Sequence, residues 1–168
     1  RPLYIRYILF FRPYYLVLGY GRIGKSALQA IQEKSGKKLF VIVIDKNVDD
    51  SVNDFSVIFE HIITLNQNIT PDGEWKKFIS GKCRGIFILT DQELLNLRLY
   101  HEAKSRLSES QLQEIDGFTR IRSLDIVHAL SKQDGGGFYE FKSGCNWVNH
   151  RFVNVHEEAP HLLFNRFE

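Results

Sequence analysis

The sequence lacks methionine, has only two cysteines and contains no long apolar run. Cys83 and Cys145 stand far apart, with no second sulfur ligand near either, so the pattern favours reduced thiols over a disulfide framework or a zinc site. The most apolar opening run, YILFF, lies between Arg6 and Arg12, which makes it far shorter than the roughly 20 apolar residues that span a bilayer. Because methionine is absent and the first residue is an arginine, we expect a piece of a longer protein.

The chain also lacks a marked excess of either charge, since 22 Lys and Arg stand against 20 Asp and Glu. It has no dense basic stripe with interleaved aromatic residues, which is the composition typical of a nucleic-acid groove. We therefore expect no nucleic-acid partner. The length of 168 residues, of which 43% are hydrophobic, is enough for one domain with a buried core.

From Tyr14 onwards, short apolar runs alternate with segments of helical periodicity, a pattern that predicts parallel β-α units. Several runs are apolar at every position, as expected of strands that are covered by helices on both faces. The pattern predicts an α/β fold with a Rossmann-like, doubly wound, mostly parallel sheet. The predicted strands are 14–18, 39–44, 61–65, 85–90 and 118–123.

Helical periodicity predicts helices at 23–34, 48–58, 71–80, 92–107 and 124–132. Pro71 suits the first position of the third of these helices, with Thr70 as its cap. The clearest break in the chain is DGGG, at 134–137. We divide the chain into an N-terminal extension or linker, a Rossmann-like domain, and a C-terminal appendage with one or two strands and a short helix: 1–13, 14–134 and 135–168.

A G-x-G-x-x-G motif, GYGRIG at 19–24, directly follows the first predicted strand and opens the first predicted helix. Asp45 closes the second strand about 20 residues further on, which is the arrangement of a dinucleotide-binding unit. Gly19 would permit a tight turn, Gly21 would let the backbone approach a pyrophosphate, and Gly24 would let the helix pack close to the strand. Free amides at the helix start would meet the phosphate, and Asp45 would accept hydrogen bonds from the adenosine ribose.

Two other interpretations of this glycine turn remain open. The residues from Gly19 to Ser26 also satisfy G-x-x-x-x-G-K-S, the P-loop of NTPases, for which Asp91 would be an acidic strand end suited to magnesium. The extra Gly21 and the acidic residue Asp45 favour the dinucleotide form. The remaining interpretation is a glycine turn that was inherited from a nucleotide-binding ancestor and is now empty.

Two further patterns have ordinary explanations. Tyr100 and Lys104 have the Y-x-x-x-K spacing of short-chain dehydrogenases, but those enzymes use another glycine spacing and a later helix, so a helix-surface role is favoured. His156, Glu157 and His161 resemble H-E-x-x-H, but the second histidine comes one residue late and follows a proline. We assign no metal site and no catalytic residues.

Four stretches, LVLGYGRIGKSALQAI, VIVIDKN, NITPDGEWKKF and GIFILTDQELLNLRLYHEAK, together resemble the TrkA-N or RCK family, the NAD-binding domain of potassium-transport regulators. The resemblance covers roughly residues 14–130. Where the family commonly has Gly-Asp-x-(Ser/Thr) after the third strand, this chain has NQNITPD. The end of the fourth strand matches the family through a Thr-Asp pair and a nearby Asn.

The resemblance implies a regulatory module that senses NAD, NADH or another adenine nucleotide and is not an enzyme. It implies a homodimer, in the cytoplasm or in the cytosolic part of a membrane-associated protein, that acts on an ion channel, a transporter or further domains of the same chain. The alternatives are an NAD-dependent oxidoreductase and a structural dimerisation domain with an empty site. The predicted cofactor-binding residues are Gly19, Tyr20, Gly21, Arg22, Ile23, Gly24, Asp45, Lys46, Thr90, Asp91 and Asn96.

Overall fold

The computed structural model describes residues 2–35, 40–49, 52, 61–123, 125–126 and 147–153. Within these ranges the chain forms four α-helices, one 3-10 helix and six strands. The helices are α1 (Pro2–Phe11), α2 (Arg22–Ser35), α3 (Glu93–Arg106), α4 (Glu109–Glu114) and the 3-10 helix Glu74–Phe78. The strands are β1 (Tyr14–Leu18), β2 (Phe40–Asp45), β3 (His61–Asn66), β4 (Cys83–Ile88), β5 (Asp116–Arg120) and β6 (His150–Val153).

All six strands join one sheet in the order β3-β2-β1-β4-β5-β6, and every neighbouring pair is parallel. This is the strand order of the doubly wound dinucleotide-binding fold. The predicted fold class is therefore confirmed. The strand order changes direction between β1 and β4. These two strands lie side by side in the middle of the sheet, with Leu18 opposite Ile88 at their ends.

The two faces of the sheet are buried by different helices. On one face, alternate β1 residues such as Val17 pack against Ala27 and Leu28 of α2. On the other face, Leu16 belongs to a cluster with Leu99 of α3 and Trp75 of the 3-10 helix. Every side chain of β1 is buried, as expected for a central strand with helices on both faces.

Helix α1 was not predicted from the sequence, which assigned its residues to an extension or linker. Ile5 and Leu9 pack against the same cluster as α3, so this helix covers part of the sheet. Its other side leaves Phe10 and Phe11 about two-thirds exposed, at 71% and 66%. The helix of 109–114 was also missed, although its capping box between Ser108 and Gln111 is a local signal.

The predicted helix start at Pro71 is wrong. The Gly73 amide donates to the Thr70 carbonyl at 2.9 Å, which closes a turn over 70–73, and the 3-10 helix begins only at Glu74. The Trp75 indole Nε1 donates to the same carbonyl at 2.7 Å. Thr70 therefore holds the turn through its backbone oxygen instead of capping a helix with its side chain.

Strand β6 lies in the C-terminal part of the chain and pairs with β5 in the main sheet. The predicted domain boundaries stay a prediction. Several expectations lie largely or wholly outside the described residues: the helices at 48–58 and 124–132, the DGGG break, Cys145, the His156 pattern and the short helix of the C-terminal appendage.

Candidate functional site

The candidate site lies at the carboxyl edge of the sheet, where β1, β2 and β4 end. Because β1 is followed by α2 on one face and β4 by α3 on the other, the strand order reverses between them and leaves a crevice at this edge. In open α/β sheets ligands bind at such a switch point. The loops that follow β1, β2 and β4 carry the predicted binding residues except Asp45, which ends β2, Asn96, and those in the first turn of α2.

Two of the three motif glycines are required by packing. Gly19 has a φ of +103°, and a Cβ there would lie 2.7 Å from both the Leu89 carbonyl carbon and the Thr90 nitrogen. A Cβ on Gly24 would overlap the Gly19 carbonyl oxygen. Only glycine therefore allows the turn to pass this close to the end of β4 and to α2.

Gly21 differs from the other two, because packing does not explain it. Apart from Gly21 itself and its two chain neighbours, no described residue has an atom within 4 Å of the position that the Gly21 Cβ would take, and its φ is not positive. It is exposed, directly before the first residue of α2. The amides of the first helical turn have no preceding helical carbonyl to bind, and with the helix dipole they favour an anion in this space.

The P-loop interpretation does not agree with this geometry. A P-loop places its Gly-Lys-Ser where the loop meets the helix, so that the lysine reaches phosphates and the hydroxyl binds magnesium. Here α2 already begins at Arg22, and the Lys25 amide donates to the Gly21 carbonyl at 3.0 Å. The Lys25 ammonium pairs with Asp49 at 3.0 Å, and the Ser26 hydroxyl donates to the Arg22 carbonyl at 3.2 Å.

The Asp45 carboxylate faces the glycine turn. Its Oδ2 accepts the Tyr20 amide at 2.6 Å, and its Oδ1 accepts the Asn47 amide at 2.9 Å. A carboxylate has about four acceptor positions, so each oxygen keeps one that these amides do not use. Asp45 is half-buried and Lys46 beside it is exposed, which places a cation next to the carboxylate at the surface.

Other predicted residues of the turn point their side chains into the core. Tyr20 and Ile23 are each 3% exposed and belong to the cluster beneath α2. The Lys25 ammonium lies 5.3 Å from the centre of the Tyr20 ring, a cation-π contact. Tyr20 and Ile23 can therefore reach a ligand only through their backbone, whereas Arg22 is exposed at the helix start.

At the end of β4, the Asn96 side chain reaches back from α3 to Thr90. Asn96 Oδ1 accepts the Thr90 hydroxyl at 2.6 Å and the Thr90 amide at 3.2 Å. Its Nδ2 donates to the Thr90 carbonyl and to the Arg120 carbonyl, both at 2.9 Å. Asp91, next in the loop, is exposed.

Residues that sequence reasoning missed are those that hold this loop in place. Leu89 backs the glycine turn, and its amide donates to the Leu18 carbonyl at 2.7 Å. The Arg120 carbonyl, from the end of β5, is the far partner of Asn96. The signal available in the sequence was an asparagine on the apolar, buried face of a predicted helix, which requires hydrogen-bond partners inside the protein.

The described residues contain no group of three or more His, Cys, Asp or Glu side chains that suits a metal ion. Burial raises the pKa of the Cys83 thiol to about 12, so this cysteine is not a nucleophile at neutral pH. Tyr100 is 5% exposed and packs against Trp147 and His150, two turns further along α3 from the carboxyl edge. No helix in the described part of the chain is long and apolar enough to cross a membrane.

The fold and the glycine turn define an open, doubly wound domain of the dinucleotide-binding class. Residues 15–134 match the model of the TrkA-N domain, so the chain belongs to the TrkA-N family. This confirms the resemblance found in the sequence, and TrkA-N domains are NAD-binding domains. No curated protein sequence matches the chain.

Two solved structures are similar in fold. SirC, a precorrin-2 dehydrogenase, is 15% identical with a TM-score of 0.40, over 53% of this chain and 40% of that one. The GsuK channel bound to NAD is 13% identical with a TM-score of 0.46, over 73% of this chain and 20% of that one. The chain thus spans well under two-thirds of the length of either protein.

Proposed function

We propose that this domain binds NAD or NADH, or another adenine nucleotide, at the carboxyl edge and acts as a nucleotide-sensing regulatory module. The observation that carries the proposal is Gly21, which stands beside open space at the start of α2. Close packing explains why Gly19 and Gly24 are glycines, but it does not explain Gly21. We therefore take the space beside Gly21 as room for the phosphates of a ligand. A pyrophosphate there would meet the amides of the first helical turn.

The geometry of the carboxyl edge supports a proposal for the rest of the site. The adenosine ribose would lie on the β2 side, where Asp45 keeps free acceptor positions and Lys46 is nearby. The second half of a dinucleotide would extend across the β4 loop, over Thr90 and Asp91. Around the turn, the backbone of 19–24 and the exposed Arg22 would surround the phosphates.

A sensing role agrees with the chemistry at this edge better than hydride transfer does. An oxidoreductase needs a proton donor beside the nicotinamide. The tyrosine of the Y-x-x-x-K pattern, Tyr100, is instead buried among aromatic rings along α3.

Family membership supports the further proposals: a cytosolic homodimer that acts on a channel, a transporter or other domains. A monomer in sedimentation equilibrium, with and without NADH, would contradict the homodimer.

The decisive experiment is calorimetric titration of NADH into the 168-residue chain and into Gly21→Val. A Cβ at this position meets no neighbour in the free protein, so the variant should fold normally and lose at least about tenfold in affinity, because its side chain occupies the pyrophosphate space. Gly81→Val is the matched control, since a Cβ there also meets nothing within 4 Å and Gly81 precedes β4 at the opposite edge.

Equal affinity of the wild-type chain and Gly21→Val would contradict the phosphate site. Absence of binding by the wild-type chain to NADH, NAD and ATP alike would favour the empty-site alternative. In the same samples, absorbance at the reduced-nicotinamide band with alcohol and carbonyl substrates tests for turnover. Sustained oxidation or reduction of the cofactor would contradict the sensing role and show that the domain is an oxidoreductase.

A further inference from the structure

The amide side chain of Asn96 has no hydrogen-bonding capacity left for a ligand. An asparagine side chain donates two hydrogen bonds and accepts two. Asn96 accepts both of its bonds from Thr90, and it donates one to the Thr90 carbonyl and one to the Arg120 carbonyl. The side chain is 1% exposed, so all four bonds lie inside the protein.

These bonds fix the loop against which the glycine turn is packed. Leu89 and Thr90 approach the Gly19 backbone so closely that even a methyl group would not fit between them. Leu89 is also bonded to the end of β1 through the Leu18 carbonyl. A displacement of Thr90 would therefore be transmitted directly to Gly19, and from there to Tyr20 and Gly21.

Asn96 also joins the ends of two neighbouring strands, β4 and β5, to α3. Its Nδ2 bonds to Thr90 after β4 and to Arg120 at the end of β5, while its own backbone belongs to the first turn of α3. One side chain thus sets the relative positions of three elements at the carboxyl edge. Buried polar side chains that are fully bonded fix a unique arrangement, because any alternative leaves one of the groups unpaired.

We propose that Asn96 is a positioning residue, which holds the β4 loop as the back wall of the glycine turn and so sets the affinity for the dinucleotide without touching it. This inference rests on the proposed function and replaces the predicted role of Asn96 as a ligand contact.

The test compares Asn96→Ala with the wild-type chain in two measurements, NADH affinity by calorimetry and amide exchange by NMR in the ligand-free protein. Asn96→Ala should weaken NADH binding by about tenfold, since the glycine turn loses its fixed support. In the absence of ligand, the Gly19, Tyr20 and Thr90 amides should exchange faster. Both are measured at a temperature at which the variant is fully folded, so that a loss of global stability does not change the result.

Tyr14→Phe is the matched control, because it removes a buried hydroxyl at the opposite edge of the sheet. The Tyr14 hydroxyl donates to the Phe78 carbonyl at 2.5 Å and lies 2.8 Å from the Ser80 hydroxyl. This variant should lower the melting temperature and leave both the NADH affinity and the exchange at Gly19 unchanged.

Asn96→Asp serves if the alanine variant does not fold. The carboxylate would face the Thr90 and Arg120 carbonyl oxygens, so binding should be weak at pH 7.5 and recover towards pH 5.5 as protonation restores one donor. The wild-type chain should show no such recovery.

The outcomes separate the two proposals. If the wild-type chain binds NADH and Asn96→Ala binds it equally well, the positioning role is overturned and the nucleotide site stands. If affinity falls while amide exchange at Gly19 and Tyr20 stays unchanged, Asn96 contacts the ligand directly, which also overturns the inference. If the wild-type chain binds nothing, the proposed function fails, and the exchange data still decide whether Asn96 supports the glycine turn.

Discussion

The two edges of the sheet use their polar groups in opposite ways. At the amino edge, where the strands begin, polar groups bind one another: Tyr14 bonds to Phe78 and Ser80, and Ser80 bonds to the Leu9 carbonyl and accepts from Gln111. At the carboxyl edge, Asp45 keeps acceptor positions and Gly21 faces open space. The amino edge thus contributes to stability. The carboxyl edge combines a rigid frame, in which Gly19 packs against Leu89 and Thr90, with an open surface at Gly21 and Asp45.

The largest expected effect tests the rigid frame of the carboxyl edge. Gly19→Ala places a methyl group into the Leu89 and Thr90 backbone at a positive φ. The φ cost of roughly 1–2 kcal/mol and an overlap cost of roughly 1–3 kcal/mol predict a loss of about 4 kcal/mol in the free energy of unfolding. Urea denaturation measures it, with Gly81→Ala as a control that should change little. An unchanged urea midpoint for Gly19→Ala would show that the glycine turn is not packed as described.

The second prediction concerns acid and tests the amino edge, where β6 begins. His150 lies between Tyr100, Trp147 and Phe152, and its Nε2 is 2.8 Å from the Thr119 hydroxyl. Burial, and to a smaller extent the charge of Lys104 on α3, together lower the pKa of His150 from 6.5 to about 3. The unfolded chain therefore binds a proton that the folded chain does not, across the range from pH 6.5 down to about 3.

The contribution of neutral His150 to the free energy of unfolding is complete above pH 6.5 and decreases as the pH falls. Between pH 7 and pH 5 the loss should be about 2 kcal/mol from His150 alone. Urea denaturation of the wild-type chain and of His150→Gln at both pH values isolates it, because other titrating groups contribute equally to both. If the two proteins lose the same free energy between pH 7 and pH 5, His150 is not buried in its neutral form.

The smallest expected effect concerns the open surface of the carboxyl edge. Asp45→Ala should weaken NADH binding by about tenfold, because charge-assisted hydrogen bonds to the ribose are lost. It should also narrow the difference between NADH and NADPH, since the carboxylate repels a 2′-phosphate at short range. We expect Lys46 to reduce that repulsion, so the wild-type chain should prefer NADH over NADPH only moderately.

Asp49→Ala is the control for this substitution, because it removes a neighbouring carboxylate that pairs with Lys25 instead of facing the turn. Its affinity for NADH should remain close to that of the wild-type chain in the same calorimetric titration. Equal affinity of the wild-type chain for NADH and NADPH would show that Asp45 does not lie at the ribose.

The sequence was informative where local pattern and tertiary environment agree. The run LFVIVI was predicted as strand 39–44 and is observed as Phe40–Asp45, since a strand buried on both faces is apolar at every position. The glycine spacing likewise predicted a tight turn between β1 and α2. Local chemistry decides these features: a positive φ and a close backbone approach both demand glycine.

The sequence failed where the partner of a group lies far along the chain. Helix α1 is stabilised by Ile5 and Leu9 packing on a core from distant elements, which its own periodicity does not reveal. The fourth-strand motif identified Asn96 together with Thr90 but not the second partner of Asn96, because the Arg120 carbonyl comes from another strand. At Thr70 and Pro71, a backbone bond to Gly73 outweighed a plausible helix cap.

The packing of Leu89 beneath Gly19 also has a consequence for the order of folding. Strand β1, α2 and β2 are near neighbours along the chain, whereas β1 pairs with β4 only when Tyr14 meets Cys83 across the whole intervening segment. Closing so long a loop costs more chain entropy than the local pairing, so β4 should join after β1, α2 and β2 have assembled. The glycine turn gains the support of Leu89 and Thr90 only when β4 joins the sheet. An early intermediate would therefore contain the motif without a complete binding site, and a nucleotide would bind only to chains in which β4 has already joined.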